Sequence, residues 1–509
     1  MKFLKIVLII FFLLLLMKTD YRFNEININS VGDDAEYYYN VITLVQDFDL
    51  DYSNQLDINS PGIYKQGSFV APAHPIGNGF LAFPFVFLSN YLLTHFYTPV
   101  STSINYFIYS LVPIFYLFIS IFLLLKLIGD KHKNIIFLSI FGSGVTYFAF
   151  ERFSMSTVYE FFAVTLLIYI SGIKFNKYNY FLIGLLPSLF LLIRTSSYHY
   201  YLIPILILIL NDKQIIKNNF LSYYFAGITS GLLIYSIISK ATYGFVTFTP
   251  STSFNAEDST YYKRLTSLLD INLIGENFIL TLNTFKNVFF GYEFGLVYFS
   301  PILAMTLFIV WKLLIEKRFL CLSLYLIIFL IPFSQILIIQ SIGFSYGFRY
   351  LYNLIPLNLY LLFKFIKLNK KVLIYLIIFS VNGIFSTLFF ETTPFSSLSE
   401  DYSLNMFGSY ERYANKDYLI GYFKSFLYLN SYIKIVLTSF VGVILFKLIN
   451  LFYDPVLFFS KFKLLSPKEI TLIQNSVQYD LIYLIFVILF FLYVSILFFK
   501  KHQKSKFKL

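Results

Sequence analysis

Three acidic side chains stand close together near the amino terminus, in the sequence VGDDAEYYYN. Asp33, Asp34 and Glu36 follow Gly32 and precede apolar residues that recur at helical spacing. A carboxylate in such a position can accept a proton from a hydroxyl group, and adjacent carboxylates can hold a divalent cation. A structural alternative stays open, in which Asp33 caps the helix and Asp34 is a solvated residue of its first turn.

Basic side chains form the second group that could do chemistry. Arg194 and His199 lie in LLIRTSSYHYY, and Arg349 lies in GFSYGFRYLYNLIP. A guanidinium group binds phosphate oxygens with two hydrogen bonds at once, which makes Arg194 and Arg349 candidate phosphate ligands, with His199 beside them. An arginine at a helix end can instead be an anchor whose charged end reaches the membrane surface.

Four further residues are candidates with less defined roles. Glu151 in FAFERFSMSTVYE and Glu36 are second acidic groups that could bind a metal ion or the acceptor of a reaction. His74 in APAHPIGNG and Tyr37 are candidates for a substrate-binding loop, although His74 has no second histidine at metal-ligand spacing and can be an ordinary loop residue. Mg²⁺ or Mn²⁺ is a candidate cofactor, but these acids do not define a coordination set.

The elements that must position these residues are membrane helices. The chain has 509 residues, of which 58% are hydrophobic and 13% charged, and its mean hydropathy is +0.71. Soluble proteins carry about 25% charged residues, so water-soluble enzyme folds are excluded. The single cysteine, Cys321, excludes a disulfide framework. The net charge of +12 is explained by lysines that anchor helices at the cytoplasmic surface, and we expect no nucleic-acid partner.

Charge distribution predicts the topology. The run from Ile6 to Met17 is predicted to be an uncleaved first helix with its amino terminus inside. The following stretch from Lys18 to Pro75 has nine acidic and three basic residues, which places it outside. Later apolar runs, each near the roughly 20 residues that a span requires, alternate between basic inner turns and less basic outer turns. The sequence thus predicts an all-α polytopic membrane protein with about 11–13 transmembrane helices.

Individual segments receive specific assignments. The segment from Gly79 to Leu93 is predicted to be a re-entrant or interfacial helix pair within a first outer loop at 18–103, and Asn134 to Phe150 a single span. The stretch from Lys240 to about Gly295 is predicted to be a polar outer loop. Residues 1–450 form the expected transmembrane catalytic domain, and residues 451–509 a cytoplasmic loop, a last helix and a basic tail. A count of about thirteen membrane spans leaves the basic carboxy-terminal tail outside, against the positive-inside rule.

The order of motifs resembles the C-type glycosyltransferase superfamily, polytopic enzymes that use polyprenyl-phosphate-linked sugars on the outer side of the membrane. The resemblance covers roughly residues 1–365 and includes, in order, GDDAEYYYNVITLVQDFDLD, HPIGNGFLAFPFVFLSNYLL, FERFSMST, LIGLLPSLFLLIRTSSYHYYLIPILILI, FFGYEFGLVYFSPILAM and GFSYGFRYLYNLIP. It implies a bacterial or archaeal cytoplasmic membrane, with the active site facing outside. It also implies membrane lipids as the surroundings and a polyprenyl-phosphate sugar as the donor.

The resemblance also implies roles for residues. Asp33 or Asp34 would be the catalytic base, Glu151 the second acidic residue, and Arg194 and Arg349 the ligands of the donor phosphate. Related sequences often have a histidine after the Met-Ser of the third motif, where this chain has Thr157, and the WWDYG-type signature of oligosaccharyltransferases is absent. The nearest types are therefore single-sugar transferases, similar to protein O-mannosyltransferases and the aminoarabinose transferase of lipid A, acting on a lipid, glycan or protein.

Other classes of function stay open. A transporter or flippase of lipid-linked glycans should have a polar cavity near the middle of the membrane and an inverted repeat, and no convincing repeat is found. An O-antigen-type polymerase or ligase, or a non-catalytic scaffold, should concentrate charges in a late outer loop. The loop from Glu391 to Lys424 fits that description, although a solvated loop has the same composition.

Overall fold

The computed structural model describes most of the chain between residues 33 and 461. The described residues are 33–55, 63–66, 69–96, 102–173, 177–211, 220–248, 267, 270, 273–292, 294–339, 347–366, 368–389, 427, 429–437, 440–461 and 470. Contacts divide the chain into a larger unit, Glu25–Ser431, and a smaller unit made of Met1–Asn24 and Tyr432–Leu509. The predicted boundary at residue 450 stays a prediction.

Helices make up most of the larger unit. The first ones, in chain order, are α1 (Asp33–Ile42), α2 (Gly77–Phe96), α3 (Thr102–Ile128), α4 (Lys133–Phe141), α5 (Val145–Phe150), α6 (Thr157–Gly172), α7 (Lys177–Phe190), α8 (Leu202–Leu210) and α9 (Phe220–Tyr243). A π-helical turn at Thr43–Asp47 follows α1, and 3₁₀ turns at Asp130–His132 and Tyr198–Tyr201 precede α4 and α8. The later ones are α10 (Ile274–Phe290), α11 (Leu296–Phe299), α12 (Pro301–Ile315), α13 (Phe319–Ile339), α14 (Ile355–Lys364) and α15 (Lys370–Phe389), with a 3₁₀ turn at Arg349–Leu354 before α14.

One small sheet accompanies the helices in the described part. Strands β1 (Ile63–Gln66) and β2 (Phe69–Pro72) pair in antiparallel register, with Tyr64 opposite Ala71. The backbone of Tyr52 donates to the carbonyl of Val70 at 3.2 Å, which ties the hairpin to the segment after α1. The hairpin is a local addition to described residues that are otherwise mainly helical.

Four helices among the described residues are long and apolar enough to cross a bilayer: Ile108–Ile128, Phe220–Tyr243, Phe319–Ile338 and Lys370–Leu388. Shorter apolar helices occupy Thr157–Gly172, Tyr198–Leu210 and Pro301–Ile315. Large apolar side chains such as Ile237, Leu330 and Ile378 are exposed on the long helices. Together these features are consistent with a helical membrane protein.

Close helix packing depends on small residues at the interface between α7 and α9. A Cβ atom on Gly184 or Gly227 would lie against a carbonyl oxygen of the facing helix, Tyr224 O or Phe181 O respectively, well inside van der Waals contact. Glycine lets two helix backbones approach closely, and membrane helices use such small residues at their contacts.

Three segment predictions need correction. The segment from Gly79 to Leu93 is not a helix pair, because α2 continues through Pro84 as a single helix. Pro84 has no N–H and so removes one backbone hydrogen bond, but the long apolar run of α2 supports the helix in spite of this loss. Asn134 to Phe150 is not one span, because the chain breaks at Gly142-Ser143-Gly144, where Gly142 lies against the backbone of Ser380. The stretch from Lys240 to Gly295 is not wholly loop, because α10, whose aromatic and polar residues recur at helical spacing, lies within it.

Helix α16 (Leu429–Leu437) crosses the boundary between Ser431 and Tyr432, and the described helices α17 (Phe440–Ile449) and α18 (Pro455–Lys461) belong to the smaller unit. The span predicted from Tyr432 to Ile449 includes most of α16 and all of α17, and residues 438–439 between them lie outside the described residues. The predicted first helix, the loop from Glu391 to Lys424, the last helix from Leu481 to Phe499 and the basic tail lie outside the described residues.

Candidate active site

The candidate residues come from five segments that meet at one end of the helices. These are the start of α1, the HPIGNG segment at the start of α2, the turn between α5 and α6, the turn between α7 and α8, and the 3₁₀ turn before α14. The backbone N–H of Gly77 donates to Leu192 O at 2.7 Å, and the side-chain amide of Asn40 donates to Pro75 O at 3.2 Å. These two bonds fasten the start of α2 to the α7–α8 turn and to α1.

Asp34 forms an ion pair with Arg152. Nε and Nη2 of Arg152 each lie 2.8 Å from Oδ2 of Asp34, so one carboxylate oxygen receives both bonds. The side chain of Asp34 is 29% exposed and that of Arg152 is 18% exposed. This is an accessible pair that joins the first turn of α1 to the α5–α6 turn.

Glu36 holds His74. Oε2 of Glu36 lies 2.7 Å from Nδ1 of the His74 ring and also accepts the backbone N–H of His74 at 3.3 Å. The ring of Tyr37 lies 4.8 Å from the ring of His74, centroid to centroid. A carboxylate that contacts both the ring and the backbone of a histidine fixes the orientation of that ring. The first-segment acids therefore have separate partners.

Glu160 and Arg194 form a buried ion pair. Nη1 of Arg194 lies 2.7 Å from Oε1 of Glu160, and the Glu160 side chain is only 1% exposed. Ser156 donates to the same oxygen at 2.8 Å, and the amide of Asn353 donates to Oε2 at 3.1 Å. Because both carboxylate oxygens are hydrogen-bonded, the buried charge is well compensated.

Arg349 lies beside the same pair, with Tyr350 shared between two arginines. The guanidinium carbon of Arg194 is 4.7 Å from the centre of the Tyr350 ring, and that of Arg349 is 5.3 Å from it. Nη1 of Arg349 also contacts Sδ of Met155 at 3.3 Å. Aromatic faces attract guanidinium groups, so Tyr350 helps to keep two like charges close together.

The three arginines are close enough to influence one another electrostatically. Burial is the largest single influence on Arg152 and lowers its pKa, but the charge and hydrogen bond of Asp34, together with Tyr147, raise the pKa of Arg152 overall. Burial likewise lowers the pKa of Arg194, the Glu160 carboxylate raises it, and the pKa of Arg194 is raised overall. Arg349 opposes both increases, because its charge repels the other two. Arg152 and Arg194 are thus charged at physiological pH.

The remaining predicted residues occupy less accessible places. Glu151 is buried at the end of α5, where its backbone N–H donates to Tyr147 O at 2.8 Å. His199 is buried with its ring 4.7 Å from that of Tyr200, so its position does not favour direct contact with a ligand. Asp33 is the first residue of α1, and its side chain lies outside the described part.

Three residues outside the assigned roles are central to the geometry: Arg152 and Glu160, which the sequence marks only as charged candidates near the outer face, and Asn353, which it does not mark. Arg152 binds Asp34, while Glu160 and Asn353 hold or support Arg194. The signal for Glu160 is its position in the first turn of an apolar helix. An unpaired charge in a membrane helix costs about 2.5 kcal/mol or more at the bilayer centre, so such a carboxylate is expected to have a partner. No local signal marked Asn353.

Divalent-cation binding finds no support in these residues. Among the parts of the chain that the structure describes, no three His, Cys, Asp or Glu side chains lie close enough together to hold a metal ion. Asp34 and Glu36 contact Arg152 and His74 instead, and Glu160 contacts Arg194. The described acids therefore do not fit a Mg²⁺ or Mn²⁺ site.

An apolar groove of about 480 Å³ lies beside the turn that carries Arg194. Its walls come from that turn, the 3₁₀ segment before α8, and α9 with the residues that follow it: Leu191, Tyr198, Tyr201, Ile228, Leu232 and Phe248. Leu191 and Tyr198 flank Arg194 in the sequence, at distances of three and four residues. Two residues of the groove wall thus lie on the same chain segment as Arg194.

Comparison with known proteins gives no relative: no protein-family model, no curated protein and no solved structure matches this chain.

Proposed function

We propose that this protein is a membrane glycosyltransferase that moves a single sugar from a polyprenyl-phosphate donor to a hydroxyl group of a lipid, glycan or protein acceptor. The observation that carries the proposal is the ion pair of Asp34 with Arg152, with Arg349 close enough to act electrostatically on both Arg152 and Arg194. The four residues lie on four separate segments. A base beside a phosphate-binding cluster is the minimum equipment for displacing a phosphate leaving group with a hydroxyl.

The proposed reaction is a single displacement at the anomeric carbon. Asp34 takes the proton of the acceptor hydroxyl, and the acceptor oxygen forms a bond to the anomeric carbon. The bond from that carbon to the phosphate oxygen breaks, and its electron pair stays on the lipid phosphate, whose charge grows by one unit. Arginines stabilise that growing charge. The configuration at the sugar is inverted, because the acceptor attacks opposite to the leaving group.

The position of the groove supports a donor with a long apolar chain. A lipid phosphate bound near Arg194 could place its first isoprene units against Leu191 and Tyr198, two residues of the groove wall. Burial of apolar chain there gives favourable transfer free energy where the groove excludes water. A soluble nucleotide sugar would make no use of this surface.

The finer architecture belongs to the same proposal. We infer an organisation similar to that of the C-type glycosyltransferases, with about 11–13 transmembrane helices and the arginine cluster facing the outside of a bacterial or archaeal cytoplasmic membrane. The acidic first segment supports that orientation, because segments with few lysines and arginines are retained outside.

The test is sugar transfer in membrane vesicles supplied with radiolabelled polyprenyl-phosphate sugars. We expect product from one donor with the native chain and a loss of at least about 100-fold with Asp34→Asn. Arg349→Ala should also reduce transfer. Asp51→Asn is the matched control, because Asp51 is an exposed acid of the same segment that contacts Ser53. Full transfer by an expressed Asp34→Asn protein would contradict the proposal.

A flippase of lipid-linked glycans is the second candidate, since it would need the same arginines and groove. In the same vesicles it predicts that label crosses the bilayer while still attached to lipid, with no dependence on Asp34. A polymerase or ligase would instead depend on acids between Glu391 and Lys424, which lie outside the described residues.

A further inference from the structure

Arg152 and Asp34 occupy each other in the substrate-free protein. Both Nε and Nη2 of Arg152 contact the same oxygen of Asp34, at 2.8 Å each. That oxygen cannot accept a proton from a substrate along the same directions while it receives these two bonds. A carboxylate that acts as a base through this oxygen must first be released from the guanidinium.

We propose that Arg152 binds the phosphate group of the donor lipid and exchanges Asp34 for it, so that the base is released only when the donor is in place. The inference rests on the proposed function and adds to it a phosphate-binding residue and an order of events. The ligand of Arg152 is then a phosphate ester, and before the donor binds, the carboxylate of Asp34 occupies the position of that phosphate.

The geometry favours exchange at this pair and not at the other one. Asp34 and Arg152 are 29% and 18% exposed, so an incoming phosphate can reach them. Glu160 is 1% exposed and is held by Ser156 and Asn353 as well as by Arg194, so its carboxylate is enclosed and cannot leave Arg194 easily, although Arg194 itself is 16% exposed. Carboxylate and phosphate oxygens both suit the planar fork of an arginine, which makes one a substitute for the other.

Arg349 makes the exchange more favourable. Its charge repels Arg152 and Arg194, and a bound phosphate near them reduces that repulsion. A phosphodiester donor carries the same single negative charge as Asp34, but it would lie near all three guanidinium groups, whereas Asp34 is bonded to Arg152.

During the proposed reaction step, one negative charge moves from Asp34 to the leaving phosphate, which agrees with Arg152 exchanging Asp34 for the phosphate. Asp34 becomes neutral when it takes the acceptor proton, while the leaving phosphate gains one negative charge. The attraction of Arg152 for the carboxylate therefore falls as its attraction for the phosphate rises. Arg152 thus stabilises the transition state more strongly than the ground state, which is the requirement for catalysis.

Direct binding of farnesyl phosphate to the purified full-length chain in lipid nanodiscs tests this exchange. We expect Asp34→Asn to tighten binding about fivefold, because the competing charge is gone. Arg152→Gln should weaken binding at least about tenfold, and the double variant should bind like Arg152→Gln. Farnesol controls for the apolar chain, and inorganic phosphate for the anion alone. Unchanged or weaker binding by Asp34→Asn would overturn the inference.

A conservative variant keeps the test decisive if Arg152→Gln does not fold. Arg152→Lys retains the charge but loses the fork, so Asp34→Asn should tighten binding less in that background than in the native one. An equal gain in both backgrounds would overturn the role of Arg152. Transfer activity is a separate readout: a chain that transfers no sugar but shows the predicted binding pattern contradicts the reaction and retains the exchange, and the opposite pattern contradicts the exchange alone.

Discussion

Two ion pairs in the candidate site differ in burial, and this difference separates their roles. Asp34 and Arg152 are partly exposed, whereas Glu160 is enclosed and receives hydrogen bonds from Ser156, Arg194 and Asn353. An enclosed and fully hydrogen-bonded pair positions Arg194, while an accessible pair can change partners. Residue types alone would treat the two pairs as equivalent.

The first prediction concerns the stability of the enclosed pair. Glu160→Gln should lower the free energy of unfolding by about 3 kcal/mol, because Arg194 keeps a buried charge without its carboxylate. The measurement is a denaturant titration in detergent micelles.

Glu316→Gln is the matched control for Glu160→Gln. Glu316 contacts Arg318 at 3.3 Å, but both side chains are at least 40% exposed, so the loss should be below about 0.5 kcal/mol. Equal losses in the two variants would mean that burial of the Glu160 pair has no energetic consequence.

At the scale of elements, the site depends on short irregular segments between helices. The 3₁₀ turns at Tyr198–Tyr201 and Arg349–Leu354 and the break between α4 and α5 deliver polar residues to one end of the helix group. At the break, Gly144 leaves room for the Tyr352 side chain, and Gly347, at φ +61°, lies against the same hydroxyl group. Tyr352 thereby links the 3₁₀ turn that carries Arg349 to the α4–α5 break.

The second prediction concerns the packing of α7 against α9. Gly227→Ala should lower the melting temperature, because the new methyl group meets the carbonyl oxygen of Phe181 and forces the helices apart at a cost of about 1–3 kcal/mol. The groove shares α9, so binding of farnesyl phosphate should weaken as well.

Gly275→Ala in α10 controls for the substitution itself. A Cβ atom at Gly275 meets nothing within 4 Å, so the melting temperature should stay the same or rise slightly through helix propensity. A Gly227→Ala protein as stable as the control would show that the α7–α9 interface tolerates wider spacing.

At the scale of the whole molecule, exposed apolar helices and a polar end define how the chain can sit in a bilayer. The arginine cluster belongs to the end where α12 begins, because the amide of Asn358, in α14, donates to Ile302 O at 3.0 Å near that start. Glu316 follows the opposite end of α12. The proposed orientation therefore places Ser53, in the acidic first segment, outside and Glu316 inside.

The third prediction tests that orientation in a Cys321→Ser background, which removes the single cysteine of the chain. A cysteine at Ser53 should react with a membrane-impermeant maleimide on intact cells, whereas a cysteine at Glu316 should react only after permeabilisation. The Cys321→Ser chain without either addition controls for background labelling. The reverse pattern would place the arginine cluster on the cytoplasmic side.

Sequence patterns predicted the apolar helices and several of the charged residues of the candidate site. Hydropathy is a local property that sums along the chain, so the apolar runs that include α3, α9, α13 and α15 were visible without any knowledge of their neighbours. Charges in apolar surroundings are costly, which marked Asp34, Arg194 and Arg349 as residues of interest. The same reasoning missed the break at Gly142-Ser143-Gly144, because hydropathy does not report where two backbones approach.

The sequence by itself thus determined that the chain is apolar, helical and equipped with a few charges near helix ends. Only the tertiary structure decided which of these charges meet. Asp34 and Arg152 are 118 residues apart in the chain, and Asn353 and Glu160 are 193 apart. Such pairs are set by which helix ends come together in three dimensions, because ion pairs and hydrogen bonds act over a few ångströms and sequence separation carries no information about that distance.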